Sequence, residues 1–190
     1  MPAELNIPTR LETPKGLRIH IGLFGRRNAG KSSLINALTN QQIAIVSDVP
    51  GTTTDPVEKA CELAPVGPVV FIDTAGIDDV GKLGHLRTDR TMSVLGWMDL
   101  ALIVCDAAGI TDYEKELFRI VTANKTPAIV VLNKTDLHAP DAPVISTIKS
   151  FNLPFVSVSA SEHIGIDTLR SAIIRTIQEE TEPDRPMMEG

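Results

Sequence analysis

Positive charge is in short supply in this sequence: 18 Lys and Arg stand against 24 Asp and Glu, a formal charge of −6. That balance excludes a protein whose main work is to blanket nucleic-acid phosphates, so no direct nucleic-acid partner is expected, and it leaves room only for a local basic pocket. Cysteine is scarcer, with two in 190 residues. Cys61 and Cys105 lie far apart in apolar, strand-like surroundings without CxxC or CxxxH spacing, which argues against a metal site and for buried free thiols. No iron–sulfur cluster is expected within these residues. His20, His85, His138 and His163 are scattered, with no ligand spacing among them. Long hydrophobic runs are missing too: "LALIVC" and "AIVVL" fall far short of the roughly 20 residues that span a bilayer. The opening "MPAELNIPTRLETPKG" lacks the apolar core of a signal peptide, so a cytoplasmic protein with no membrane partner is expected. No internal repeat or low-complexity tract appears.

What remains is ordinary globular composition, 43% hydrophobic and 22% charged, in a length suited to one domain. Apolar runs alternate with segments of helical period. "RIHIGLFG" reads as a first strand and "KSSLINALTN" as the helix that it feeds, with Leu34, Ile35 and Leu38 on one face. Residues 40–57 form a long polar loop. "KACEL" and "VVFID" read as antiparallel strands around the turn "APVGP". A second loop over 74–84 leads to a helix near 86–96. Then follow the strand "LALIVCD", a helix over 112–123, the strand "PAIVVLN", a helix near 142–150, the strand "PFVSVS" and a helix near 166–180. Such alternation predicts a mostly parallel six-stranded sheet with one antiparallel edge strand and helices on both faces. Residues 1–16 read as a flexible tail, 17–180 as the domain, and 181–190 as the start of a linker to domains absent here.

The chemistry concentrates at strand ends. Gly25 to Ser32, "GRRNAGKS", fits GxxxxGK[ST] directly after a strand and at the opening of a helix, where main-chain N–H groups and the helix terminus cradle phosphate. The predicted nucleotide contacts are Gly25, Arg26, Arg27, Asn28, Ala29, Gly30, Lys31, Ser32 and Ser33. Lys31 reaches the β and γ phosphates, and the Ser32 hydroxyl ligates Mg²⁺. "DTAG" closes the strand "VVFID", placing Asp73 on the Mg²⁺ side and the Gly76 N–H toward the γ-phosphate. In "SDVPGTTTDP" a threonine completes the Mg²⁺ shell, Thr53 first, with Thr52 and Thr54 as alternatives. "NKTD" selects guanine over adenine: Asp136 can accept from the N1–H and N2–H₂ edge, which adenine lacks. Lys134 lays its stem over the base, Asn133 ties this loop to the phosphate loop, and in "VSA" the Ala160 backbone N–H, next to Ser159, can donate to guanine O6. GTP or GDP with Mg²⁺ is thus the expected ligand pair.

As a set, these elements resemble the G domain of the GTPases typified by TrmE (MnmE) and Era, over residues 17–180. The resemblance implies a Ras-like P-loop GTPase fold. It also implies a potassium ion held by Asn28 and backbone carbonyls of the first switch, which gives Asn28 a catalytic part alongside Lys31, Thr53 and Gly76. The double arginine and "TTTDP" depart from the GxPNxGKS and GTTRD more usual in that group and resemble the [FeFe]-hydrogenase maturation GTPases called HydF. That closer resemblance implies C-terminal dimerisation and iron–sulfur domains beyond these residues, and maturase or hydrogenase partners. Ile77 stands where Ras-like proteins carry a water-positioning glutamine; Asp78, Asp79 and His85 are candidates for that task. Slow intrinsic hydrolysis, raised by potassium, is the expectation. Arg87 and Arg90 read as a solvated helix face.

Overall fold

The computed structural model describes residues 18–40, 57–74 and 88–181. Its elements run in the order β1 (Ile19–Phe24), α1 (Lys31–Asn40), β2 (Val57–Leu63), β3 (Gly67–Asp73), α2 (Thr88–Leu95), β4 (Leu100–Asp106), α3 (Asp112–Ala123), β5 (Ala128–Asn133), α4 (Ala142–Ser150), β6 (Phe155–Ser157) and α5 (Ile166–Thr181). The sheet is six-stranded in the order β2-β3-β1-β4-β5-β6. β1 pairs parallel with β3 and β4, and β4–β5 and β5–β6 are parallel, while β2 returns antiparallel on β3. The mostly parallel sheet with one antiparallel edge strand is the one expected from the alternation of elements, and the architecture is the Ras-like P-loop fold that the resemblance implies.

Period-two geometry sends successive side chains of each strand to opposite faces, so strands buried on both sides read as unbroken apolar runs. Leu100, Leu102 and Val104 of β4 and Ile129 and Val131 of β5 pack with Leu34 and Leu38 of α1 and Leu169, Ile173 and Ile177 of α5. Their neighbours Ala101, Ile103, Cys105, Val130 and Leu132 face the other way, against Leu95 of α2, Leu117, Phe118 and Val121 of α3 and Ile148 of α4. Burial of each large side chain contributes about 1.5–3 kcal/mol. Both thiols are buried and free, one in each core.

Several boundaries differ from the sequence reading. The β2–β3 turn is only residues 64–66, and Gly67 and Pro68 belong to β3, where Glu62 pairs with Pro68 and Leu63 with Gly67; a proline is tolerated at the start of a strand. β6 stops at Ser157 instead of continuing to Ser159, because the chain turns there and Ser159 pairs with Ile164 in an isolated bridge. α2 ends at Leu95, where the Gly96 and Trp97 amides close the last turn on Met92 and Val94. α5 includes Thr181, the first residue read as linker. Asn40 and Val57, read as the ends of the first long loop, belong to α1 and β2; the expected tail at 1–16, the linker beyond Thr181 and, apart from Thr74, the rest of both long loops lie outside the described residues. Among the described residues no helix is long and apolar enough to cross a membrane.

Candidate functional site: a phosphate cradle and a purine rim

Crossover connections in a parallel sheet bring the strand ends to one edge, and ligands in open α/β sheets bind there. β1 delivers the chain to Gly25, which adopts φ +148; a Cβ at this position would come 2.3 Å from the Val104 carbonyl of the neighbouring strand. Gly30, at φ +97, faces Asn133 so closely that a Cβ would lie 2.2 Å from its side-chain amide. Between them the loop curls, with the Ala29 N–H donating to Arg26 O at 3.1 Å and Asn28 held at φ 65, a conformation asparagine tolerates better than most residues. Lys31 opens α1. Its ammonium is buried, and such a charge needs acceptors; Nζ donates to Gly25 O and to Arg26 O, the latter at 3.2 Å.

A cavity of about 470 Å³ opens above this loop, lined by Arg27, Asn28, Gly30, Lys31, Ser32, Ser33, Asp73 and Lys134. In it the Ser32 hydroxyl donates to Asp73 Oδ2 at 2.6 Å, which sets one hydroxyl and one buried carboxylate side by side. Two hard oxygen donors at one point suit Mg²⁺, which favours oxygen and retains much of its water. Thr74 secures the strand end beneath them by donating through Oγ1 to Leu23 O at 2.6 Å.

The rim on the far side is built by the ends of β5 and β6. Asn133 is buried; its Nδ2 donates to Ala29 O at 3.0 Å, and its Oδ1 accepts from the Ala160 N–H at 3.0 Å. One amide side chain therefore fastens the phosphate loop to both base-side loops. The Ala160 N–H, expected to serve guanine O6, is held at this rim by Asn133 Oδ1. Asp136 is exposed at the rim, and Ser159, fully buried, donates to its Oδ1 at 2.6 Å. Lys134, at φ 65, extends its ammonium to Asp106 Oδ2 at 3.0 Å.

Of the residues singled out from sequence, Asn28, Lys31, Ser32, Asp73 and Lys134 share the cavity, while Asn133, Asp136, Ser159 and Ala160 form the adjoining rim. Arg26 contributes main chain only to the cradle; its guanidinium turns away to Glu114 at 2.5 Å. Thr53 with Thr52 and Thr54, and Gly76, Ile77, Asp78, Asp79, His85 and Arg87, lie outside the described residues. Arg90 is exposed on α2, as a solvated face requires. Asp106 and Glu114 escaped the sequence reading. The spacing of "TDYE" at 111–114 does carry a legible capping-box signal for Glu114.

The sequence profile described as 50S ribosome-binding GTPase matches residues 20–134. The tRNA modification GTPase MnmE of Picosynechococcus sp. is 37% identical over 171 residues, covering 84% of this chain and 35% of its own length. GTPase Der of Wolinella succinogenes is 34% identical over 177 residues, covering 88% of this chain and 37% of its own. Among solved structures, Aquifex aeolicus Era bound to GDP and aluminium fluoride superposes with a TM-score of 0.63 at 28% identity, over 83% of this chain and 56% of that one. The chain spans little more than a third of the length of these curated relatives. A phosphate cradle joined by Asn133 to a carboxylate rim, on this sheet and with this profile, places the chain in the 50S ribosome-binding GTPase family, as a P-loop G domain related to MnmE, Der and Era.

Proposed function

We propose that this domain is a potassium-stimulated, GTP-hydrolysing switch that binds guanine nucleotide with Mg²⁺. The observation that carries the reading is the convergence of Lys31, the Ser32 hydroxyl and the Asp73 carboxylate around one cavity that Lys134 also lines. In that arrangement the loop amides and Lys31 bind the triphosphate tail, and Lys31 offsets charge that grows on the β–γ bridge. Mg²⁺, when bound between Ser32 and Asp73, neutralises phosphate charge. Asp136, its carboxylate oriented by Ser159, accepts the N1–H and N2–H₂ edge of guanine, and the Ala160 N–H donates to guanine O6. Asn28 stands exposed at the cavity mouth and carries an amide oxygen of the kind an alkali cation accepts, which supports its role toward potassium. Thr53 and Gly76 are the proposed γ-phosphate sensors, and their loops pass the nucleotide state on.

For the task that the switch serves, the double arginine and "TTTDP" support a HydF-like scaffold in [FeFe]-hydrogenase cofactor assembly, working in the cytoplasm with dimerisation and iron–sulfur domains and maturase or hydrogenase partners. The identities to MnmE and Der support the alternative, a role in tRNA modification or ribosome assembly. GTP-dependent binding of the chain to purified maturases, against binding to tRNA or ribosomal subunits, separates these two.

The switch itself is tested by phosphate release from GTP in KCl and in NaCl at equal ionic strength. Potassium should raise the rate about tenfold or more, and Asn28→Ala should abolish the difference. Turnover absent from both salts, or a potassium effect that survives Asn28→Ala, would sink the reading.

A further inference from the structure

Arg26 is the second residue of the phosphate loop, yet its side chain serves another element. Its Nε donates to Glu114 Oε1 at 2.5 Å, across 88 residues of sequence. Glu114 is fully buried, while the arginine side chain retains 38% exposure. The second carboxylate oxygen of Glu114 accepts from the Thr111 amide at 2.8 Å and the Thr111 hydroxyl at 2.5 Å, the capping arrangement at the start of α3. A capping box needs a Glu or Gln at this position but needs neither its burial nor a cation from a distant loop. Stability does not explain the pair either, since replacing a buried ion pair by apolar residues of similar volume is commonly neutral or stabilising.

The main chain of Arg26 supplies the explanation. Its carbonyl accepts the Ala29 N–H that closes the loop turn, and it also accepts Lys31 Nζ. Any shift of the Arg26 peptide therefore moves both the curl of amides and the ammonium that face the phosphates. We propose that the Arg26–Glu114 pair is a positioning device, mooring the rim of the phosphate loop to the N-terminus of α3 so that the cradle is set before nucleotide arrives. Neither side chain lines the cavity; they act through the Arg26 main chain. The inference rests on the guanine-nucleotide reading given above. Its consequence is that α3, which bears no residue of the cavity, is mechanically joined to the site.

The test uses the 190-residue chain in four forms: unaltered, Arg26→Met with Glu114→Leu, Glu114→Gln, and Arg26→Lys. Measured are the thermal midpoint without ligand, Kd for Mg²⁺·GTP and GDP, and KM and kcat in KCl. The apolar double variant should keep its midpoint within a few degrees while both Kd values and KM rise about tenfold and kcat falls with them, because the Lys31 ammonium shifts with the Arg26 carbonyl, the signature of a cradle no longer set in advance. Glu114→Gln should weaken binding in the same direction, and Arg26→Lys, which keeps the charge, should recover part of the affinity. A purely structural pair predicts the reverse, a lowered midpoint with KM unmoved, and that result overturns the proposal. If the double variant fails to fold, Glu114→Gln decides by itself: a wild-type Kd overturns the mooring. Failure of the unaltered chain to prefer GTP over ATP brings down the functional reading and this inference together; intact preference with unchanged variants brings down this inference alone.

Discussion

Asp106 and Lys134 show how a single contact outside the recognised motifs shapes the purine side of the site. In the proposed site Lys134 lays a flexible four-carbon stem over the base, and an ion pair at 3.0 Å limits the directions that the stem takes. Burial pushes the Asp106 carboxyl up, but the Ala108 N–H bond, the Lys134 hydrogen bond and charge, and the charge of His138 together outweigh it and hold the group below the ordinary carboxylate value. A carboxylate lowered on folding contributes stability that is present above the unfolded value, about 4, and lost as pH falls through the lower folded value. Guanine-nucleotide affinity should therefore show no step from this pair between pH 8 and 5. Asp106→Asn should weaken GTP about two- to fivefold throughout that range, read by isothermal titration, since partly exposed pairs contribute modestly. An affinity that matches wild type would remove Asp106 from the base side. The residue was illegible in sequence because an aspartate after an apolar strand reads first as a turn former, and Asp106 does also accept from the Ala108 amide at 2.9 Å. Lys31, Ser32 and Asp73 were legible because their spacing is fixed by contacts within one short loop and one strand end.

Elements in this fold carry different duties, and α4 serves as a contrast to α1 and α3. Asp141 caps it by accepting the Val144 N–H at 3.0 Å, with a proline in the first turn, and Val144 and Ile148 enter the core on the face away from α1 and α5. Loss of such a cap costs about 1 kcal/mol. Asp141→Ala should lower the thermal midpoint by about 2–4 °C in a domain of this size, by the same amount with and without saturating GDP, because α4 contributes no group to the cavity. A loss of GDP affinity in that variant would show that α4 has a part in the site. Element existence and order were legible throughout, since both-face burial writes unbroken apolar runs in β4 and β5 and a 3.6-residue period in α3 and α5. Ends were less so. The β2–β3 turn is tighter than "APVGP" suggests because Gly67 and Pro68 complete the ladder with Leu63 and Glu62. β6 is shorter because the chain turns after Ser157 and Ser159 bridges Ile164, a turn further tied by the Ala160 N–H to Asn133, 27 residues distant, which no local pattern reports.

At the scale of the molecule, one sheet separates two cores and gathers the chemistry along one edge, so the cores can open independently only if the sheet yields. The two thiols sample this difference. Cys61 lies on β2, an edge strand, against α1 and α5, whereas Cys105 lies on central β4 among α2, α3 and α4. Burial pushes the Cys61 thiol up to about 11, the Arg170 charge opposing and the Glu62 charge adding. Cys105 is raised further, chiefly by burial, with Glu114 adding and Arg26 opposing. A thiol raised on folding contributes stability that is complete below its unfolded value and lost as pH rises through the folded one, so the domain should weaken from about pH 9 upward. Near neutral pH both thiols should resist a disulfide reagent until the chain opens. Edge strands open by local fluctuation and central strands with the whole, so Cys61 should label first and Cys105 at the rate of global unfolding. GDP at a hundred times its Kd stabilises only the closed cradle and should slow Cys105 about a hundredfold, while Cys61 barely responds. Equal rates for the two, or equal protection by GDP, would show that the sheet opens as one unit and that β2 is no weaker than β4.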